Sequence, residues 1–289
     1  MTIPKRIIQT GKTPDLPPLC RAAVANVRLL NPDFEYCFFD DDQVAAFIAK
    51  EFPEYRAVFD SFPYPIQRYD FFRYLAVYRL GGFYFDLDVL LSRGLSPLLE
   101  FGCVFSFEEL TMSRFLRERC EMDWEIGNYA FGAAAGHPFL KELIANCVKG
   151  QENPEFIEPM VQLIPRCFRR YYYVFNTTGP AMLTRTLAEH PELLDQIEIL
   201  LPNDVFDKRN WSNFGDYGVH LAQGSWLEKR GKWQRRLVGW WEVWTRRALE
   251  KESRRRGAVR SKSGMRREPV GSRFAGVAEK QMNPGEHRL

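Results

Sequence analysis

The sequence of 289 residues lacks several features that mark common protein classes. No apolar run reaches the roughly 20 residues that a membrane-spanning helix needs. The opening MTIPKRIIQT has neither the apolar core nor the small-residue cleavage site of a secretory signal. The six cysteines are scattered without a CxxC pair, so neither a zinc site nor a disulfide framework is indicated. These absences predict a cytoplasmic protein with free thiols.

The charge is distributed unevenly, although the formal net charge is only +3. Residues 227–289 hold 18 Lys and Arg against 7 Asp and Glu, whereas the first 226 residues hold 22 against 30. This break predicts a boundary between a globular domain, 1–226, and a basic Trp/Arg helix, 227–256. The remaining tail, 257–289, has little apolar periodicity and is expected to be disordered.

The globular part alternates strand-like and helix-like segments. Predicted strands cover 4–9, 34–39, 83–85, 103–107, 129–134 and 197–201, and predicted helices cover 16–30, 43–50, 66–80, 138–148, 155–170 and 179–189. The tyrosine run 171–173 is interpreted as core and strand. This alternation predicts an α/β domain with a mostly parallel central sheet. No G-x-G-x-x-G or Walker-type phosphate loop is present.

The stretch GGFYFDLD, residues 81–88, places two carboxylates directly after a predicted buried strand. In an extended segment Asp86 and Asp88 point to one face, while Leu87 points back into the core. Adjacent carboxylates repel unless a cation lies between them, and hard oxygen ligands favour Mg²⁺ or Mn²⁺. At the C-terminal end of a strand, where open α/β sheets bind ligands, the pair predicts a metal site. Two solvated turn aspartates are the alternative.

The preceding helix carries a second charged pair. Asp70 and Arg73 are spaced i, i+3 and therefore share a helix face. An arginine near a metal-bearing strand end could bind a diphosphate, and an aspartate beside it could hold a sugar hydroxyl or orient the guanidinium. The alternative is a surface ion pair that contributes little to stability.

The run RYDFFRYLAVYRLGGFYFDLDVLLSRGLSPL, residues 68–98, resembles the D-x-D sugar-binding region of glycosyltransferase family 32. That family includes initiating mannosyltransferases of N-glycan outer chains, glucosylating domains of bacterial toxins and bacterial capsule-sugar transferases. The run contains, in the family's order and spacing, Asp70, Arg73, Gly81, Gly82, Tyr84, Asp86 and Asp88.

Flanking stretches resemble other elements of the family in the same order. They are IPKRIIQTGKTP near the N-terminus, GNYAFGAAAGHPFL (127–140), NTTGPAMLTR (176–185) and VHLAQGSW (219–226). The first of these departs from the family pattern at Ile8, where His is usual, and at Gly11, where Trp is usual. The base-stacking contact that the Trp would give is therefore not assigned to this chain.

The resemblance implies a GT-A-type fold, a UDP- or GDP-sugar donor, Mn²⁺ or Mg²⁺ as cofactor, and retention of anomeric configuration. It also implies roles for individual residues. The predicted catalytic set is Asp86, Asp88 and Arg73; the predicted metal ligands are Asp88, Asp86 and His220; and the predicted nucleotide-sugar contacts are Asp70, Arg73, Tyr84, Asp86, Asn128, Ser225 and Trp226. Each of three residues also has an alternative role. Asn128 could make a strand-end hydrogen bond, His220 could be structural, and Trp226 could be a packing residue.

The basic segment has two interpretations. Its Trp stripe flanked by arginines suits an amphipathic helix on an anionic membrane surface, or a helix packed on the domain with a solvated basic face. A glycan or lipid-linked glycan acceptor at the inner membrane surface is expected, and no nucleic acid partner is expected.

A non-catalytic nucleotide-sugar-binding relative is the alternative to an enzyme. A two-metal phosphohydrolase would need an additional His/Asp cluster, which this sequence lacks.

Overall fold

A computed structural model describes residues 1–162, 164–201 and 212–221, together with Trp240, Val243 and Trp244. The strands are β1 Arg6–Thr10, β2 Glu35–Phe39, β3 Gly82–Phe85, β4 Val89–Leu91, β5 Cys103–Leu110, β6 Trp124–Ala133, β7 Ile197–Leu200, β8 Asn213–Phe214 and β9 Gly218–His220. The helices are α1 Pro18–Leu30, α2 Asp41–Glu51, α3 Arg56–Ser61, α4 Pro65–Leu80, α5 Arg114–Arg119, α6 Pro138–Glu152, α7 Pro154–Val161, α8 Arg166–Thr177 and α9 Pro180–Glu189. Short 3₁₀ turns cover Pro53–Tyr55, Ser96–Leu98 and Pro191–Gln196.

A six-stranded sheet in the order β2-β1-β3-β6-β5-β7 forms the centre of the described chain. Strand β6 pairs antiparallel with both of its neighbours, and the other pairings in this sheet are parallel. A small antiparallel sheet, β4-β9-β8, lies beyond the end of β3. The predicted α/β class and the mostly parallel central sheet are therefore confirmed.

The two faces of the central sheet bury separate apolar clusters. Along β3, Phe83 and Phe85 belong to one cluster and Tyr84 to the other, as the alternation of a strand requires. Both clusters are fully buried at this strand. The strand that carries the D-x-D motif at its end is thus fixed from both sides.

Helix α4 is held in place at both ends. Pro65 occupies its first turn, where the missing N–H costs nothing, and the Gln67 side chain accepts a hydrogen bond from the Tyr64 N–H. Gly81 ends the helix at φ +65°. Gly82 follows at φ +113°, and a Cβ there would lie 2.6 Å from the Arg6 carbonyl oxygen. The glycine pair therefore lets the chain turn directly from α4 into a strand packed beside β1.

The pairing of β6 with β5 is irregular where the candidate site lies. Phe105 pairs with Phe131 but Ser106 pairs with Gly127, so residues 128–130 of β6 are left out of this ladder. A second shift, between Phe107 and Glu109, leaves Glu108 as an extra residue on β5. Bulges of this kind re-aim side chains and are over-represented next to functional sites.

The predicted single helix over 155–170 is wrong, as is the strand assigned to the tyrosine run 171–173. The structure has two helices, α7 and α8, with Pro165 immediately before the second. Proline lacks the N–H that a continuous helix needs and disfavours helical backbone at the residue before it. Helix α8 then continues through the tyrosines. Strand β6 also begins at Trp124, earlier than the predicted 129–134.

The predicted C-terminal features fall largely outside the described residues. This applies to the basic helix 227–256, the tail 257–289, and the candidate site residues Ser225 and Trp226. Three residues of the basic segment are described: Trp240, Val243 and Trp244 are helical and exposed. Among the described helices, none has both the length and the apolar character to cross a membrane.

Candidate active site

A buried arginine forms the centre of the site. The Arg73 Nη2 atom lies 3.1 Å from Asp70 Oδ1 and 3.2 Å from Asp86 Oδ1. Its Nη1 donates to the Asn128 carbonyl at 2.8 Å, and its guanidinium lies over the Tyr84 ring, 4.6 Å from the centroid. The Arg73 and Asp70 side chains are only 3% and 5% exposed. The alternative of a surface ion pair is therefore wrong.

Asp70 is fixed by neutral donors as well as by Arg73. The Asn128 Nδ2 atom donates to Asp70 Oδ1 at 3.1 Å, and the Thr178 hydroxyl donates to Asp70 Oδ2 at 2.8 Å. Burial raises the pKa of Asp70 to about 6, although Arg73 and these hydrogen bonds act in the opposite direction. In such surroundings the ionised form of Asp70 depends on the positive charge of Arg73 beside it.

Three distant segments meet at this network. Asn128, on the irregular part of β6, donates to the Tyr74 hydroxyl at 2.9 Å, and that hydroxyl donates to the Thr178 carbonyl at 2.6 Å. Sequence reasoning placed Asn128 at the site but missed Tyr74 and Thr178. The Thr-Gly-Pro stretch before α9, which carries Thr178, was the available indication.

The D-x-D residues lie on a turn. Strand β3 ends at Phe85, and the Val89 N–H donates to the Asp86 carbonyl at 3.2 Å, which closes a turn over residues 86–89. The expectation of an extended segment is therefore wrong. The Asp86 carboxylate is still oriented toward the site, because its Oδ1 accepts from the Tyr84 hydroxyl at 2.9 Å as well as contacting Arg73.

Asp86, Asp88 and His220 form a group that could hold a metal ion. Each offers one ligand atom, and these atoms lie within 4.8 Å of one another. The pairing of Val89 with His220 between β4 and β9 brings the histidine to the motif. Two carboxylates and one imidazole, all partly open to solvent, suit a divalent cation that keeps sites for water or phosphate oxygens. The structure thus places His220 beside the D-x-D motif, and its role as a metal ligand stays a prediction.

The His220 ring is held from two sides. Its Nε2 lies 3.2 Å from Asp88 Oδ1, and its face stacks on Tyr129 with centroids 4.4 Å apart and an interplanar angle of 12°. Tyr129 is anchored by donating its hydroxyl to the Phe107 carbonyl at 3.0 Å. Burial disfavours the imidazolium, but the Asp88 hydrogen bond and the nearby carboxylates raise the pKa of His220 above its ordinary value. A proton and a metal ion would therefore compete for Nε2.

Among the buried polar atoms near this ring that have no hydrogen-bond partner within the described part of the chain, two bear on the histidine. They are His220 Nδ1 and Glu108 Oε2. Burial raises the pKa of Glu108 to about 8, and the charge of His220 acts to lower it. Sequence reasoning missed both Glu108 and Tyr129, because their roles depend on the irregular pairing of β5 with β6.

The departures from the family pattern in the first strand have a packing explanation. Ile8 is fully buried in β1. A Cβ on Gly11 would lie 2.9 Å from Leu87 Cδ1 and 3.2 Å from Phe38 Cζ. The space at Gly11 is thus filled by the apolar side chains of Leu87, Phe38 and Leu16, of which Leu87 comes from the D-x-D turn.

Comparison with known proteins gives a consistent match. Residues 17–105 match the family model described as a glycosyltransferase sugar-binding region containing a DXD motif. The inositol phosphoceramide mannosyltransferase 3 of Schizosaccharomyces pombe is 29% identical over 248 residues, which are 84% of this chain and 61% of that protein. An uncharacterized glycosyltransferase L373 of Acanthamoeba polyphaga mimivirus is 30% identical, with 70% of this chain and 74% of that protein covered.

Among solved structures, the PaToxG glycosyltransferase has a TM-score of 0.47 and 16% identity to the chain. The match covers 67% of this chain and 72% of that one. The present chain spans about three-fifths of the length of the fission-yeast enzyme that it matches.

Proposed function

Because this chain belongs to the glycosyltransferases whose sugar-binding region contains a DXD motif, we propose that it transfers a sugar in a metal-dependent reaction. The donor is a nucleotide-diphospho-sugar, and the acceptor is a glycan or glycolipid. The observation that carries the proposal is the convergence of Asp86, Asp88 and His220 within 4.8 Å, beside the buried Arg73. Cationic and metal-binding groups of this kind would stabilise the charge that develops on a diphosphate leaving group.

Mn²⁺ or Mg²⁺ bound by Asp88, Asp86 and His220 would neutralise the leaving diphosphate. Arg73 adds a second positive charge that cannot swing away, because Asp70 and Asp86 fix its Nη2. The buried Nε of Arg73 has no partner among the described residues, so its N–H could donate a hydrogen bond to an oxygen of the nucleotide-sugar. Asp70 orients Arg73 and keeps lone pairs for a sugar hydroxyl, and Tyr84 supports the guanidinium from below.

The nature of the donor and acceptor is a further part of the proposal. The name of the fission-yeast relative states that it is an inositol phosphoceramide mannosyltransferase. We infer by analogy a mannosyl donor, a phosphoinositol-type glycolipid acceptor and retention of configuration. Asn128, Ser225 and Trp226 remain predicted contacts of the nucleotide-sugar.

A panel of UDP- and GDP-sugars tests this function. With Mn²⁺ present, one donor is expected to be hydrolysed slowly and to raise the melting temperature, and hydrolysis should stop when EDTA removes the metal ion. Adding a phosphoinositol glycolipid should convert hydrolysis into transfer, detected by mass spectrometry. Thermal protection without hydrolysis or transfer would favour a binding module, and metal-independent transfer would contradict the role of Asp86, Asp88 and His220.

We also propose that the chain works at the cytoplasmic face of a membrane. Trp240, Val243 and Trp244 are 69%, 49% and 59% exposed, and the surrounding sequence is rich in arginine. Exposed tryptophans beside basic residues suit the surface of an anionic bilayer, where a glycolipid headgroup would be presented.

Replacing Trp240 and Trp244 together by alanine is expected to weaken binding to phosphatidylserine-containing vesicles about tenfold or more, because each indole buries a large apolar area. Donor hydrolysis should be unchanged. Sedimentation with vesicles measures the effect, and added salt should weaken the wild-type interaction. Leu29→Ala removes another exposed apolar side chain, 78% exposed on α1, and serves as the control. Equal binding by the double variant and the wild type would remove the membrane role of this segment.

A further inference from the structure

His220 contacts the D-x-D group with only one of its two ring nitrogens. Nε2 lies 3.2 Å from Asp88 Oδ1, whereas Nδ1 is buried and has no partner in the described ranges. If Nε2 offers its lone pair to a metal ion, the proton of the neutral ring must be on Nδ1. A buried N–H without an acceptor costs free energy, so the ring would be poorly held in that state.

Glu108 supplies the complementary atom. Its Oε2 is buried and lacks a donor within the described residues. Glu108 is also the extra residue of the second β5 irregularity, a position where bulges re-aim side chains. One unpaired donor position and one unpaired acceptor therefore occur in the same buried region.

Backbone hydrogen bonds bring the two residues together. The Ser212 N–H donates to the Glu108 carbonyl at 3.1 Å, and the Ser212 carbonyl accepts from the His220 N–H, also at 3.1 Å. A single residue thus bridges the main chains of Glu108 and His220. Tyr129 provides a second connection, because its ring stacks on His220 and its hydroxyl bonds the carbonyl of Phe107, the neighbour of Glu108.

A small space over Gly127 adjoins these side chains. A Cβ at Gly127 would lie 2.6 Å from Glu108 Oε2, 2.7 Å from Ser106 Oγ and 2.5 Å from Tyr129 Cε1. The absence of a side chain at Gly127 therefore leaves room for the carboxylate beside the ring on which His220 stacks. Polar groups on two sides of this space would also suit one bridging water.

We propose that Glu108 is a positioning residue for His220, whose Nδ1 proton its Oε2 accepts either directly or through one water over Gly127. This bond fixes the tautomer and the ring orientation that present Nε2 toward Asp86 and Asp88. Histidine ligands of metal ions commonly donate their other N–H to a carboxylate in this way. Glu108 lies outside the Asp86–Asp88–His220 group, so it acts through the histidine. The inference rests on the metal-binding role proposed for His220.

Binding of Mn²⁺ alone, measured by electron paramagnetic resonance of the free ion, tests this role. Glu108→Ala is expected to weaken binding about tenfold, the lower end of what loss of such an outer partner costs. Glu108→Gln keeps an acceptor oxygen of similar shape and is expected to bind within about threefold of wild type. Glu198→Ala, at another partly buried carboxylate on the neighbouring strand β7, is the matched control and should bind as wild type.

A second measurement follows the histidine itself. Nitrogen-15 NMR of the Mg²⁺-bound protein is expected to show His220 with its proton on Nδ1 in the wild type and Glu108→Gln, and a mixture of tautomers in Glu108→Ala. Gly127→Ala should act like Glu108→Ala, because its methyl group would displace Glu108 or Tyr129. Melting curves confirm that each variant is folded.

The outcomes separate the two proposals. Wild-type Mn²⁺ affinity in Glu108→Ala, or equal weakening by Gln and Ala, would overturn the hydrogen-bond role of Glu108 and leave the metal site intact. Failure of the wild type to bind Mn²⁺ would remove the metal site and, with it, this inference.

Discussion

Asp88→Asn is expected to lower the rate of sugar transfer at least about 10³-fold while leaving the fold intact. The side chain lies in the group of three possible metal ligands, and its Oδ1 is 3.2 Å from His220 Nε2. Asparagine keeps the size of the side chain but removes the negative charge that would bind a divalent cation. Loss of a preorganised electrostatic contact to a leaving group costs about 10²–10³ in rate, and loss of a metal ligand also weakens metal binding.

Stability should respond differently from activity in this variant. Removing one charge relieves the repulsion between Asp86 and Asp88 but also weakens the contact of Asp88 with His220, so the melting temperature is expected to change little. Transfer is measured over a range of Mn²⁺ concentrations, where higher concentrations should restore activity only in part. Asp195→Asn, an exposed position in the 3₁₀ turn Pro191–Gln196, is the control. Full activity of Asp88→Asn at limiting Mn²⁺ would contradict the assignment of Asp88.

Local sequence was enough to predict the elements that carry the motif. Neighbouring residues alone predict the apolar helix 66–80, the glycine pair and the buried Phe-Tyr-Phe strand. The structure places α4 and β3 within one residue of the predicted bounds at each end. The i, i+3 spacing likewise identified Asp70 and Arg73 as a pair. Their burial could not be read locally, because it depends on β6 and on the segment before α9.

The remaining parts of the site depend on long-range register. The turn at residues 86–89 reverses the expectation of an extended D-x-D segment. The pairing of β4 with β9 and the hydrogen bond from the Leu221 N–H to the Asp88 carbonyl explain why His220 still lies beside Asp88. Glu108 and Tyr129 owe their positions to irregular pairing of β5 with β6. Such irregularities are set by packing across the sheet, which no single stretch of sequence encodes.

Arg73→Lys is expected to lower transfer about 10²-fold or more, although it preserves the positive charge. Arg73 contacts Asp70 and Asp86 with one nitrogen, the Asn128 carbonyl with another, and the Tyr84 ring with its planar face. Lysine offers a compact ammonium on a flexible chain and cannot make these contacts at once.

The same change should destabilise the fold, unlike Asp88→Asn. Asp70 is 4% exposed. Weakening the cationic partner of a buried carboxylate lowers the free energy of unfolding by up to about 3–5 kcal/mol. Arg73→Met removes the charge entirely and should be less stable than Arg73→Lys at neutral pH, because Asp70 must then either stay ionised without a counter-ion or take up a proton as its pKa, already raised by burial, rises further. The difference should shrink below pH 6, because a protonated Asp70 no longer needs a cation. Urea unfolding at pH 5 and pH 7.5, alongside transfer rates at pH 7.5, measures both effects. Wild-type transfer by Arg73→Lys would reduce Arg73 to a general electrostatic contributor, and equal stability of the two variants at pH 7.5 would contradict its role as the counter-ion of Asp70.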